Sequence, residues 1–198
     1  MNKILNLIQT LNNLKYIKRT GPTLFAGISS IQTDSIAEHS FKVANLSILL
    51  GNKVKGVNIG NLTIHALIHD WAESIVGDIP SSSKSFQSYF KINIRETFKD
   101  AEANILNTFL KDAKLKLQDL NETELKLLDL CDKLATTLEL IDYKQKGNKH
   151  RWIDKMFTIS ISSIKQFDFD FIQELSLGLK DMFENVMDNY YLTKVTNK

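Results

Sequence analysis

Thr63–Pro80, TIHALIHDWAESIVGDIP, is the stretch whose apolar pattern decides how this chain folds. Ile64, Ile68, Trp71 and Ile75 recur three and four residues apart and form one helical face. Ala66, Leu67, Ala72 and Val76 make most of the remaining surface apolar too, the pattern of a buried helix. The spacing predicts one helix over 59–76, ended by Gly77, which permits a left-handed exit, and by Pro80, which prevents continuation. His69, Asp70 and Glu73 then stand as polar groups inside a core, where a charge needs a partner or a metal. At separations of three and four they project toward shared space. A hydrogen-bonded core histidine beside a surface carboxylate would give the same local pattern.

Two further helical runs carry the same kind of intrusion. His39, Val43, Leu46 and Leu50 fall on one stripe, so His39 continues an apolar face inward. Leu125, Leu128, Asp132 and Ala135 form another, with Asp132 as its only charge. A carboxylate there is costly unless compensated, and an ion pair with Lys126 or Lys133 is the simple alternative. Three intrusions on three apolar faces are better explained by one shared divalent ion held by His39, His69, Asp70 and Asp132. Imidazole and carboxylate donors suit a metal that keeps positions open for water and substrate. Such an ion activates water and polarises a phosphoryl oxygen, which points to hydrolysis of a phosphate ester.

The order His…His-Asp…Asp resembles the signature of the HD-domain phosphohydrolases, and the subgroup it resembles is the bacterial 5′-deoxynucleotidases (YfbR-like) with their eukaryotic relatives. The resemblance rests on Lys18-Arg19-Thr20-Gly21, Ile36-Ala37-Glu38-His39-Ser40, His69-Asp70-Trp71-Ala72-Glu73, Gly77-Asp78-Ile79-Pro80, Asp132-Lys133-Leu134 and Gly147-Asn148, over roughly residues 10–150. It implies an all-α fold, a compact HD-domain bundle of about six to seven helices, one divalent metal (Co, Mn, Zn, Fe or Mg) and hydrolysis of deoxynucleoside monophosphates. A deoxynucleoside triphosphate triphosphohydrolase is the runner-up, and a non-catalytic nucleotide-binding HD module the reading from another class. The alarmone hydrolases of the superfamily carry an Asp where this chain has Ser74, which argues against them.

Further roles follow from position and chemistry, and for Arg19 and Asp78 also from the resemblance. Glu73, one turn along the face of His69 and Asp70, is the candidate general acid or water-positioning group; the alternative is a carboxylate that orients a metal ligand. Arg19 has the planar guanidinium that suits a phosphate, for binding and for charge stabilisation. Asp78 is expected at the sugar 3′-hydroxyl, against the alternative of a turn-stabilising Asp. Lys84, in the polar run 81–84, is a candidate phosphate contact. One departure stands out: Pro22 occupies the place of the family's Trp, which opens the question of sugar selectivity, and Phe25 is a candidate replacement. His65 precedes His69 by four residues, but the family has no ligand there, so it is expected in the core or beside a ligand.

With 198 residues the chain is expected to form one HD domain, with a metal-site core at about 10–150 and C-terminal helices at 149–195 packing on it or at a dimer interface. Helices are expected at about 3–16, 36–53, 59–76, 85–110, 122–146, 149–165 and 170–191, with an irregular stretch over 18–33. Asn58 or Asn61 caps the third, and Asn121 with Glu124 reads as a capping box. A formal net charge of +2 is too balanced for a dedicated nucleic-acid binder. One cysteine excludes an internal disulfide framework, and neither a signal peptide nor a membrane-spanning run is visible, so the cytoplasm is expected. Ile172, Leu175, Leu179, Met182 and Val186 form a narrow seam that serves either the protein's own core or a homodimer.

Overall fold

In the computed structural model, which describes residues 2–79 and 94–185, with side chains in the second stretch from Glu96 on, every regular element among the described residues is helical. The all-α expectation holds. The helical segments outnumber the expected six or seven, for two local reasons given below.

Helix α1, Asn2–Leu11, runs into a 3-10 turn over Asn12–Lys15, and Leu7 and Leu14 are the buried positions of this run. The following chain is strapped to the approach of the next long helix. Ile36 N–H donates to the Ile17 carbonyl at 2.9 Å, Arg19 N–H to the Asp34 carbonyl at 3.0 Å, and Lys18 and Ser35 form an isolated antiparallel bridge. The stretch expected to be irregular then contains a short helix, α2, Thr20–Ala26. Pro22 sits in its first turn, where the missing N–H costs nothing, and Gly27 ends it at φ 62°.

Helix α3, Ile36–Gly51, begins with a complete capping box. Ser35 Oγ accepts from Glu38 N–H at 3.2 Å, and the Glu38 carboxylate accepts from Ser35 N–H at 2.6 Å. This explains Glu38 in the Ala-Glu-His-Ser motif: it closes the cap of the helix that carries His39, the next residue. His39, Val43 and Leu50 are buried along α3, as the stripe predicts. Helix α4, Ile59–Ile68, is capped by Asn58, whose Oδ1 accepts from Asn61 N–H at 3.1 Å.

The helix expected over 59–76 is interrupted. Trp71 N–H bonds the Ile68 carbonyl at 3.0 Å, Glu73 N–H that of Asp70 at 3.0 Å, and Ser74 N–H that of Trp71 at 3.1 Å. These i→i−3 bonds make a tight turn that separates α4 from α5, Glu73–Val76. Gly77 at φ 76° then lets the chain leave. The predicted face is only half right: Ile68 is buried and Trp71 half-buried, but Ile64 and Ile75 are exposed, Ile75 by 59%, and Leu62, Ala66 and Ala72 are buried in their stead. A segment apolar on all sides does not announce which side turns inward.

Helix α6 is Ile94–Ala113 and α7 is Glu122–Gln145. The Asn121–Glu124 box closes as predicted, with Glu124 N–H on Asn121 Oδ1 and Asn121 N–H on Glu124 Oε2, each at 3.0 Å. The buried face of α7 is Leu127, Leu130, Cys131 and Leu134, while Leu125 is 55% exposed. Asp132 therefore flanks the apolar face instead of lying in the middle of it.

The described residues divide into two compact units, the boundary falling after residue 135, within α7. In the first, α3 packs along α4 and α1 lies against α6. In the second, α8, Arg151–Ile164, packs on α9, Ile172–Glu184, and the Phe157 and Phe183 rings stack 3.8 Å apart. Ile172 and Leu179 of the expected seam are buried and Leu175 and Met182 half-buried; Val186 lies outside the described residues. No helix among the described residues is long and apolar enough to cross a membrane.

Candidate metal centre

Three of the expected ligands meet in the first unit. The nearest donor atoms of His39, Asp70 and His69 lie within 4.8 Å of one another. His39 Nε2 is 3.9 Å from Asp70 Oδ2, and His69 Nε2 is 3.1 Å from the same oxygen. Asp132 joins through His39, its Oδ1 sharing a hydrogen bond with His39 Nε2 at 2.9 Å. Of the two lysines named as simple ion-pair partners, Lys133 meets Asp129 and Lys126 meets Glu122.

Local structure presents these atoms. The capping box fixes the start of α3 and carries His39, only 1% exposed, into the core. His69 is oriented by its own backbone: Nδ1 lies 2.7 Å from the Ala66 carbonyl. A carbonyl only accepts, so Nδ1 must carry the proton, which leaves Nε2 to face the centre. A donated Nδ1–H of this kind is the usual companion of metal ligation through Nε2.

His69 Nε2 and Asp70 Oδ2 are buried and face only each other, 3.1 Å apart, without a well-formed hydrogen bond, and Glu73 Oε2 is buried without a hydrogen-bond partner. Buried polar atoms are normally paired, and leaving them unmade costs on the order of 1–3 kcal/mol each. Two imidazoles and two carboxylates form a donor set that suits a divalent transition ion or zinc. The residues present therefore fit such an ion.

The electrostatics agree. Burial pulls His69 down, but the charges of Asp70 and Asp132 outweigh it and raise the imidazole above its ordinary value. Burial likewise works against the Asp70 and Asp132 carboxylates. The imidazoles of His69 and His39, and for Asp132 also Arg19, more than offset it and hold both below the usual range. This is a place where positive charge is favoured. Glu73 behaves oppositely: burial first, then Asp70 and Asp78, push it up to about 9, with Arg19 acting the other way. A cation held by Asp70 would cancel part of that repulsion.

The second ring of residues is only partly as expected. Arg19 is the N-cap position of α2, and its charge acts on Glu73 and Asp132. Asp78 is half-buried, and its Oδ2 accepts from Thr20 N–H at 2.5 Å and from Thr20 Oγ1 at 2.8 Å. Lys84 lies outside the described residues. His65 takes no part in the cluster; its Nε2 is 3.0 Å from the Gln118 carbonyl. His150 caps α8, accepting from Trp152 N–H at 3.2 Å.

Glu102 on α6 is a residue that the sequence reading missed. Burial first, and then the charges of Asp70 and Asp78, raise its carboxyl, while Lys99 lowers it, so it feels the charge of the same acidic centre. The signal was available: Phe98, Glu102, Ile105 and Phe109 form a stripe with one charge, the criterion that picked out Asp132.

The family described as 5′-deoxynucleotidase YfbR-like matches residues 6–188. The chain is 27% identical over 152 residues to the 5′-deoxynucleotidase hdd1 of Schizosaccharomyces pombe, covering 73% of this chain and 74% of that one. It superposes on the PH0347 protein of Pyrococcus horikoshii OT3 with a TM-score of 0.66 and 26% identity, over 91% of this chain and 98% of the other. It shares its fold, at a TM-score of 0.59 and 18% identity over 89% and 93% of the two chains, with the HD phosphohydrolase DatZ of cyanophage S-2L, solved bound to dA and one catalytic Zn2+.

Proposed function

We propose, from the premise that this chain belongs to the YfbR-like 5′-deoxynucleotidase family, that it is a metal-dependent phosphohydrolase converting deoxynucleoside 5′-monophosphates to deoxynucleosides and phosphate. The observation that carries the reading is the convergence of the buried donor atoms of His69, Asp70 and His39 within 4.8 Å of one another, with Asp132 bonded to His39. These four residues would hold one divalent ion. When bound, it would supply Lewis-acid polarisation of the phosphoryl group and ready activation of water.

The protein's own groups do the rest. Arg19, whose charge reaches Glu73 and Asp132, binds the phosphoryl oxygens and stabilises the charge that grows on them. Glu73 stands one turn beyond Asp70 in a half-apolar setting that favours its protonated form. It passes a proton to the leaving sugar oxygen or orients the attacking water. Asp78, at the exit of α5, receives a sugar hydroxyl. Lys84 is retained as a phosphate contact. The chain acts as one HD domain, as a homodimer and in the cytoplasm. The seam on α9 lends the dimer no support, because Ile172 and Leu179 are already buried in the single chain.

The test is a phosphate-release screen across ribo- and deoxynucleotides with several divalent metals. Release from deoxynucleoside monophosphates in preference to ribonucleotides is the expected result. Release of triphosphate alone would move the chain to the triphosphohydrolases, and no release with any metal would defeat the reading. Light scattering at micromolar concentration checks the dimer.

A further inference from the structure

We infer that Thr20 is a positioning residue for the phosphate end of the site, acting through Arg19, and that its grip on Asp78 divides the work of that carboxylate between its two oxygens. The inference rests on the hydrolase reading above and goes beyond it by giving Thr20 a role.

Arg19 is held along the backbone from several sides. Its N–H donates to the Asp34 carbonyl at 3.0 Å, and its carbonyl accepts from Thr23 Oγ1 at 3.2 Å. The residue before it bridges to Ser35, and Lys18 Nζ donates to the Thr33 carbonyl at 2.9 Å. All of these bonds tie Arg19 to α2 or to the approach of the His39 helix. Thr20 supplies the tie to the other ligand-bearing segment. Its N–H and its hydroxyl both reach Asp78 Oδ2, at 2.5 and 2.8 Å, one residue beyond Gly77. The hydroxyl also lies 3.1 Å from the Asp78 carbonyl, but it has one proton, and the shorter, charge-assisted bond takes it.

Two consequences follow. The backbone of Arg19 is clamped between the segment that carries His39 and the segment that carries His69 and Asp70, so the point from which the guanidinium reaches out keeps a fixed place relative to the metal ligands. A guanidinium on a seven-residue helix would otherwise move with that helix. Second, Asp78 Oδ2 already accepts two hydrogen bonds, so a substrate hydroxyl must be received at Oδ1. The same carboxylate thus sets the phosphate end with one oxygen and reads the substrate with the other.

The test compares Thr20→Val, which removes the hydroxyl at similar shape, with Thr20→Ser, which keeps it, each alone and with Arg19→Ala. The readouts are kcat and KM for a deoxynucleoside 5′-monophosphate and for p-nitrophenyl phosphate, and the affinity for inorganic phosphate by calorimetry. Thr20→Val should lower kcat/KM about tenfold or more for both substrates, since both present a phosphate to Arg19 and small misplacements are costly. It should weaken phosphate binding, Thr20→Ser should recover most of each loss, and Thr20→Val should add nothing in the Arg19→Ala background. Full additivity with Arg19→Ala, or phosphate affinity unchanged by Thr20→Val, would overturn the inference and leave Thr20 a fold residue. Should the valine variant not fold, Thr20→Ala replaces it under the same criteria. If no nucleotide is hydrolysed yet phosphate binding follows the Thr20 pattern, the hydrolase reading fails while the positioning role stands.

Discussion

Two places in the first unit bury acidic groups, and they do it in opposite ways. Where α4 and α7 begin, Glu124 is 3% exposed and fully engaged: Oε1 accepts from Asn58 N–H at 2.7 Å, and Oε2 from Asn121 N–H at 3.0 Å. At the centre, Glu73 Oε2 is buried with no hydrogen bond, and Asp70 Oδ2 has only His69 Nε2 3.1 Å away, without a well-formed hydrogen bond between them. The first carboxylate closes two helix starts and joins them. The second group is costly by itself and is compensated when a cation shares the space. Burial of a charge alone therefore does not separate scaffold from site; the state of its lone pairs does.

The comparison breaks most visibly if the central donors are dispensable. His69→Ala and Asp132→Ala should each lose bound metal and at least about a thousandfold in turnover, the loss of several kcal/mol of transition-state stabilisation. Metal analysis and phosphate release check this together, and full metal content with full activity in Asp132→Ala would collapse the distinction. Glu73→Ala should lose about 10²–10⁴-fold in kcat while keeping its metal, because it handles protons without being needed as a ligand.

The scaffold side gives the reverse signature. Glu124→Ala should cost about 1–3 kcal/mol of stability, since two backbone N–H groups at helix starts lose a carboxylate acceptor, with metal content unchanged. Denaturant unfolding measures it; a drop in metal content at undiminished stability would place Glu124 on the wrong side of the comparison. The smallest effect is expected from Asp78→Asn. The amide oxygen can still accept from Thr20, while the NH2 group replaces the oxygen left for substrate. KM should rise for deoxynucleotides more than for a simple phosphate ester, and equal rises would remove the sugar role.

The two regions also differ in how well they could be read from sequence. The Asn121–Glu124 box is local, spaced by three residues, and was legible because capping chemistry acts within one turn. His39 was legible because its stripe with Val43 and Leu50 is clean. The break after Ile68 was not, since Thr63–Val76 is apolar on every side and the tight turn preserves an approximate helical period. The same excess of apolar residues hid the phase, leaving Ile64, Leu67 and Ile75 outside. The Thr20–Asp78 pair spans 58 positions, and no short-range pattern reports such a contact. Helix α2 was obscured by Gly21 and Pro22, which read as breakers yet are tolerated in a first turn.

The central claim is that His39, His69, Asp70 and Asp132 hold one divalent ion. The direct measurement is elemental analysis of protein purified without chelator, paired with thermal unfolding before and after chelation. The account predicts about one equivalent of a divalent metal per chain and a melting temperature that falls on chelation and returns on metal addition, as binding to the folded state alone requires. A chain that carries no metal, and whose melting temperature responds neither to chelator nor to added divalent ions, would contradict it.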